Sequence, residues 1–105
     1  MKSINKKLIL GSAQFIKNYG AGKKINKDME SMFKSLQNCK NIFFDTSPKY
    51  SSAEKFIGRN FNKAKVGSKL PSMRNVPIKN IEKYIFFSLN KTLKKLNRNY
   101  LDYYL

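Results

Sequence analysis

Three ionisable side chains lie at places where they can act together. Asp45 ends the apolar run at 42–44, Tyr50 lies in the loop that follows, and Lys69 ends the run at 65–68. The carboxyl ends of parallel strands share one edge of a sheet, and active sites form at that edge. A lysine cation held by an aspartate stabilises a phenolate, so a tyrosine beside the pair can donate a proton to a carbonyl oxygen.

Each of these residues also has an ordinary structural explanation. An aspartate at the end of a strand is often a turn former or a helix cap, and a lysine at such a position is usually solvated. A single tyrosine in a loop is not diagnostic of any function. Spacing alone therefore leaves acid–base catalysis and a purely structural role both open.

The periodicity of apolar residues predicts the elements that position this trio. Short apolar runs that stop at glycine or proline predict strands near residues 7–11, 42–46, 64–70 and 100–105. Apolar residues at helical spacing predict helices at about 27–39, 51–61 and 81–96. The order is βαβαβαβ, which favours an α/β fold with a parallel sheet and right-handed crossovers.

Two details of the helices are also predicted. Ser51 and Glu54 have the spacing of a capping box, in which the serine caps the helix and the glutamate reaches back. The buried face of the longest helix is expected to consist of five apolar residues: Ile81, Ile85, Leu89, Leu93 and Leu96.

Size and composition limit the possible classes of protein. The 105 residues are enough for one small domain, covering 1–105. The single cysteine, Cys39, excludes an internal disulfide and is expected to pack as a small hydrophobe. The chain has no histidine, so no metal site is expected. No apolar run approaches the ~20 residues of a membrane span, so we expect no membrane partner and a cytoplasmic location.

The net charge of +16 raises the question of a polyanionic partner. However, 19 of the 22 cations are lysine, whereas specific phosphate recognition tends to use arginine. The lysines are also spread from Lys2 to Lys95 rather than gathered in one block. The pattern favours solvated surface charge over a nucleic-acid partner. A small basic domain that binds nucleic acid or another polyanion stays the alternative function.

Four segments resemble the aldo-keto reductase family in order and spacing. Residues 8–15 with Asn18-Tyr19-Gly20 resemble its opening strand and loop, and residues 43–54 resemble its Asp-Thr-Ala-x-x-Tyr-Gly-x-Ser-Glu signature. Residues 66–71 resemble its lysine strand, and residues 88–105 resemble the helix and strand that lead to its catalytic histidine. The chain departs from the family at three positions: Ile16 and Ser51, where the family often has glycine, and Ala53, where it has serine.

The resemblance implies a fold, an activity and a set of catalytic residues. The family is a (β/α)₈ TIM barrel that reduces aldehydes and ketones with NADPH, or sometimes NADH. The chain is therefore expected to be the N-terminal half of such a barrel, with a small carbonyl compound as substrate. By resemblance the catalytic residues are Asp45, Lys69 and Tyr50, with Tyr50 as proton donor. The family binds the cofactor mainly through late strands and loops, so no residue here is assigned to it.

The resemblance also implies that the activity needs more than this chain. The fourth catalytic residue of the family is a histidine expected just beyond Leu105, and a barrel of this type takes ~250 residues. We therefore expect a truncated or partial chain that is inactive alone. Open strand edges would also allow self-association.

Overall fold

Four strands and three helices alternate along the part of the chain that the structure describes. A computed structural model describes residues 8–12, 27–39, 41–50 and 52–105. Its elements are β1 (Leu8–Gly11), α1 (Lys27–Gln37), β2 (Ile42–Asp45), α2 (Ala53–Asn60), β3 (Lys65–Ser68), α3 (Ile81–Leu96) and β4 (Tyr103–Tyr104). A 3₁₀ turn, Ile78–Asn80, leads directly into α3. None of the described helices is long and apolar enough to cross a membrane.

The four strands form one parallel sheet in the sequential order β1-β2-β3-β4. The register pairs Asp45 with Gly67 and Gly67 with Tyr103, so these residues lie in one row across the sheet. The predicted α/β class, with the order βαβαβαβ and a parallel sheet, is confirmed.

The last strand is much shorter than predicted, covering 103–104 rather than 100–105. The cause is Asp102, whose carboxylate accepts a hydrogen bond from the Val66 N–H at 2.7 Å. The Asp102 N–H donates in turn to the Val66 carbonyl at 2.9 Å. A side chain thus takes the place of a backbone acceptor, and regular strand pairing begins only after it.

All three helices pack on the same face of the sheet. Side chains alternate along a strand, so Ile42, Phe44 and Val66 point to one side. They form a core with Phe33 of α1, Phe61 after α2 and residues of the other two helices, Ile57 and Leu96. One face of the sheet is thereby buried by helices that follow successive strands.

The other face of the sheet, the open face, carries apolar side chains that no described helix covers. Ile9 is 63% exposed, Tyr103 41% and Leu105 71%. The rings of Phe43 and Tyr103 stack at 4.8 Å on this face, and the bare backbone of Gly67 lies in the strand between them. An apolar surface of this kind is a site for contact with another surface.

Helices α2 and α3 approach each other closely at Gly58. A Cβ atom on Gly58 would lie 2.7 Å from the carbonyl carbon and oxygen of Leu96 and from the Lys95 carbonyl oxygen. Asn97, with a φ of 52°, ends α3 in the left-handed conformation. The Arg98 guanidinium then donates to the Ala64 carbonyl at 2.7 Å, which joins the loop after α3 to the loop before β3.

The buried face of α3 differs from the prediction. Its fully buried residues are Ser88, Thr92 and Leu96, whereas Ile81, Ile85, Leu89 and Leu93 are only half-buried. Thr92 lies beside a buried carboxylate on α2, that of Glu54. The inward face of α3 therefore combines two hydroxyl residues with Leu96 instead of consisting of the full apolar stripe.

Of two further expectations, the packing of Cys39 is wrong, and the Ser51 cap stays a prediction. Cys39 is exposed rather than packed, because α1 ends at Gln37 and the thiol donates only to the Ser35 carbonyl at 3.4 Å. Ser51, the predicted cap, lies outside the described residues, and Ser52 precedes the first residue of α2 without making a side-chain cap.

Substitution of Gly58 by alanine tests the contact between α2 and α3. The added methyl overlaps backbone atoms that no rotamer change can move, and such overpacking costs about 1–3 kcal/mol. The helical preference of alanine offsets ~1 kcal/mol of that cost. Because three backbone atoms lie at 2.7 Å, the cost falls at the upper end of that range, and we expect Gly58→Ala to lower the free energy of unfolding by about 2 kcal/mol in urea denaturation. Gly11→Ala is the control, since nothing lies within 4 Å of its Cβ position; equal stability of the two variants would contradict this account.

We also predict that copies of this chain associate through the open face. Repulsion from the net charge is screened over ~8 Å at physiological salt, whereas apolar contact acts at shorter range. We expect sedimentation to detect dimers or larger species at physiological salt and fewer at low salt. Leu105→Lys on the open face should restore the monomer, whereas Ile78→Lys, at a position 89% exposed outside that face, should not. A wild-type monomer in both buffers would contradict the prediction.

Candidate active site

The structure brings Asp45 and Lys69 together at the carboxyl edge of the sheet. The Lys69 Nζ donates to the two carboxylate oxygens of Asp45 at 2.9 and 3.0 Å, and to the Thr46 carbonyl at 3.2 Å. The register explains the contact: Asp45 pairs with Gly67, and Lys69 follows Gly67 by two residues, so both side chains lie on the same face. The predicted salt bridge is confirmed.

Tyr50 lies beside this ion pair. The Lys69 ammonium is 5.2 Å from the centroid of the Tyr50 ring, within the range of a cation–π contact. A tight turn holds the tyrosine, because its N–H donates to the Ser47 carbonyl and its carbonyl accepts from the Ala53 N–H, both at 3.0 Å. All three candidate residues therefore meet at one place, between the end of β2 and the start of α2.

The electrostatics of the site keep Lys69 charged. Partial burial alone would lower the pKa of Lys69, but the hydrogen bond and charge of Asp45, together with Tyr50, raise that pKa above its usual value. The Lys69 and Asp45 side chains are still 34% and 35% exposed, so small molecules in solution can reach the pair. The site is a fixed cation beside a phenol at an open edge.

An aromatic surface adjoins the trio on the same face of the sheet. A Cβ atom on Gly67 would lie 2.5 Å from the ring of Tyr103, so only glycine allows this ring to rest on β3. The Phe43 and Tyr103 rings stack there with an interplanar angle of 20°. The sequence interpretation did not assign these residues to the site. The signal available was Gly67, because a glycine inside a strand often marks a close approach of another group.

A buried polar cluster fixes the end of β3 from the opposite face. The Ser68 hydroxyl donates to the Glu54 carboxylate at 3.1 Å, and Glu54 is only 2% exposed. Burial raises the pKa of Glu54, while hydrogen bonds from Ser68 and Thr92 and the charges of Lys95 and Lys91 oppose that rise. Because Ser68 directly precedes Lys69, this cluster positions the lysine. Sequence analysis missed its burial, although residues 54, 57, 58 and 61 have the spacing of one helical stripe.

Among the described residues, no group of three or more His, Cys, Asp or Glu side chains lies close enough to hold a metal ion. No protein-family model, curated protein or solved structure matches the chain.

The raised pKa of Glu54 predicts a specific pH dependence of stability. A carboxyl group whose pKa is higher in the folded chain than its usual 4.5 stabilises the fold below that pH and loses this contribution as the pH rises. We expect the free energy of unfolding of the wild type to fall, relative to Glu54→Gln, as the pH rises from 4.5 towards neutrality. Glutamine retains hydrogen-bonding groups for Ser68 and Thr92 but does not ionise.

Urea denaturation at a series of pH values measures this difference. Glu82→Gln is the control, because it removes an exposed carboxylate of the same type from the first turn of α3. The same pH profile for the wild type and Glu54→Gln would show that the Glu54 carboxylate is not destabilised by burial.

Proposed function

We propose that this chain supplies the acid–base part of an NAD(P)H-dependent carbonyl reductase site of the aldo-keto reductase type. The observation that carries the proposal is the contact of Lys69 with Asp45 at 2.9 Å, with Tyr50 beside it, at the carboxyl edge of a parallel sheet. The substrate is a small aldehyde or ketone.

The sheet topology supports a barrel as the complete fold. Doubly wound sheets reverse their strand order and carry helices on both faces. Here the strands follow one another in sequence, and the core residues of all three helices lie on one face. A (β/α)₈ barrel has the same arrangement, with helices outside and packed side chains inside. We infer that the open face with Phe43 and Tyr103 belongs to the interior of such a barrel.

Carbonyl reduction adds a hydride to carbon and a proton to oxygen. NAD(P)H, when bound, supplies the hydride. The phenol of Tyr50 donates its proton to the carbonyl oxygen, and the resulting phenolate is stabilised by the Lys69 cation until solvent returns a proton. Asp45 contacts Lys69 through both carboxylate oxygens, so it holds the ammonium in place and keeps it charged.

The residues present fit the carbonyl half of this reaction. A phenol and an accessible cation beside an apolar aromatic surface suit a polar carbonyl group with an apolar substituent. The Lys69 charge is already paired with Asp45, so it is poorly suited to bind the cofactor's phosphates. We assign none of the described residues to the cofactor, in keeping with the expectation that the isolated chain is inactive.

The activity of the isolated chain is the first test. We expect no reduction of aldehydes at an enzyme-like rate when NADPH absorbance is followed at high protein concentration. The chain has no histidine to orient the carbonyl oxygen, and loss of one such donor commonly costs ~10²–10³ in rate. If the isolated chain does reduce aldehydes, the predicted inactivity is wrong. Loss of that reduction in Tyr50→Phe would still support Tyr50 as the proton donor.

The second test combines this chain with a C-terminal half of an aldo-keto reductase barrel, which supplies a histidine, further strands and a phosphate-binding loop. When both parts are produced together and reduce an aldehyde, Tyr50→Phe should lower carbonyl reduction ~10²–10⁴-fold. Tyr100→Phe, which removes a phenol from a residue 68% exposed outside the site, should have little effect. Reduction that survives in Tyr50→Phe would overturn the proposal.

A further inference from the structure

A groove lined by positive charges runs between α2 and α3. Its volume is about 720 Å³, and it is open to solvent along its length. Lys55 and Arg59 of α2 line one side, and three lysines of α3 line the other: Lys91, Lys94 and Lys95. Gly58, Asn62 and Asn97 complete the lining. The groove is separate from the Asp45–Lys69 site, which lies on the open face of the sheet.

Every charged side chain among these lining residues is positive. Lys55 and Arg59 are four residues apart on one helix, as are Lys91 and Lys95, and like charges at this spacing repel. The buried Glu54 carboxylate attracts Lys95 and Lys91 from below, but it supplies one negative charge against five positive ones. The groove is therefore a concentrated field of positive charge that a polyanion would neutralise.

The helix dipoles do not account for this arrangement. Arg59, Lys94 and Lys95 lie in the last turns of their helices, where the dipole favours cations. Lys55, however, lies in the first turn of α2, where the dipole favours anions instead. Its position opposes the local helix field, and it adds to the charge of the groove.

The chemistry of the lining indicates the class of ligand. The residues that line the groove include no aromatic or large apolar side chain. A protein partner usually needs an apolar anchor at the centre of its interface, and single-stranded nucleic acid needs aromatic surfaces for base stacking. Lysine, arginine and asparagine side chains instead suit phosphate and sugar oxygens, which dominate contacts to a duplex backbone.

We propose that the groove between α2 and α3 binds the phosphate backbone of double-stranded nucleic acid without sequence preference. Contacts to phosphates position a protein on a duplex but do not read its bases. Lysine side chains act as point charges in such contacts, so binding depends on charge and salt rather than on a fixed geometry. The proposal is independent of the carbonyl chemistry, because it needs neither a cofactor nor Tyr50.

Fluorescence anisotropy with labelled duplex DNA of scrambled sequence tests the proposal. The groove variant is Lys55→Gln/Arg59→Gln/Lys94→Gln, three exposed positions. The matched control is Arg74→Gln/Lys79→Gln/Lys83→Gln, which removes the same charges at exposed positions outside the groove. Circular dichroism and thermal melting establish that both variants are folded.

For the wild type we expect the logarithm of affinity to fall with the logarithm of salt at a slope of roughly −4.5, as five phosphate contacts would give. In the groove variant, which lacks three of the five contacts, the slope should be shallower by about 3. Its affinity at 0.1 M salt should be lower by on the order of 10²-fold. The control should change both quantities much less. Duplex RNA should compete with the DNA, because the contacts are to the backbone.

Three outcomes would overturn the proposal. Equal losses in the groove and control variants would mean that net charge alone attracts DNA. An unchanged groove variant would place the binding elsewhere. Poly-glutamate that binds more tightly than the duplex, with the same dependence on the groove residues, would identify an acidic protein as the partner.

Discussion

Alternation of side chains along parallel strands is the constraint on which this structure depends. Neighbouring residues of a strand point to opposite faces, so Phe44 and Val66 enter the helical core while Asp45 and Gly67 lie on the open face. The three described helices pack on one face and leave the other without a described cover. The buried apolar residues and the residues of the polar site thus alternate along the same two strands. A shift in the pairing register of either strand would displace both sets together.

The candidate site is held from both sides of the sheet. On the open face, the Lys69 ammonium is fixed by Asp45 and by the Thr46 carbonyl. On the buried face, the Ser68 hydroxyl donates to the Glu54 carboxylate, which anchors the residue directly before Lys69. A buried carboxylate is costly unless polar groups satisfy it, and Thr92 of α3 lies inward beside Glu54. The same face of α3 also buries Leu96 in the apolar core, so polar contact and apolar packing both act on this face.

The distribution of charge separates two surfaces with different chemistry. The Asp45–Lys69 pair is locally balanced and sits on the open face of the sheet. The groove between α2 and α3 holds five of the 22 lysine and arginine residues of the chain, and its lining includes no carboxylate. We infer that the two surfaces serve separate purposes, proton transfer at the sheet edge and attraction of phosphates at the helices.

Much of the fold and the central contact of the site could be predicted from local sequence. Strand β2 and helix α3 lie within a residue of their predicted bounds, because each is a continuous apolar pattern with a clear stop. The Asp45–Lys69 contact also followed from sequence, since two residues at the carboxyl ends of adjacent parallel strands must share an edge. The closeness of Tyr50 was predicted from the loop and from the family resemblance, not from periodicity.

Tertiary structure alone decided the features that depend on how elements face one another. The burial of Glu54 with Ser68, the inward turn of Ser88 and Thr92, and the stacking of Phe43 on Tyr103 across Gly67 each join residues from different elements. The basic groove likewise forms only because Gly58 lets α2 approach the backbone of α3. Periodicity shows which residues share one face of one element, but the pairing of faces is set by packing and by the need of buried polar groups for partners.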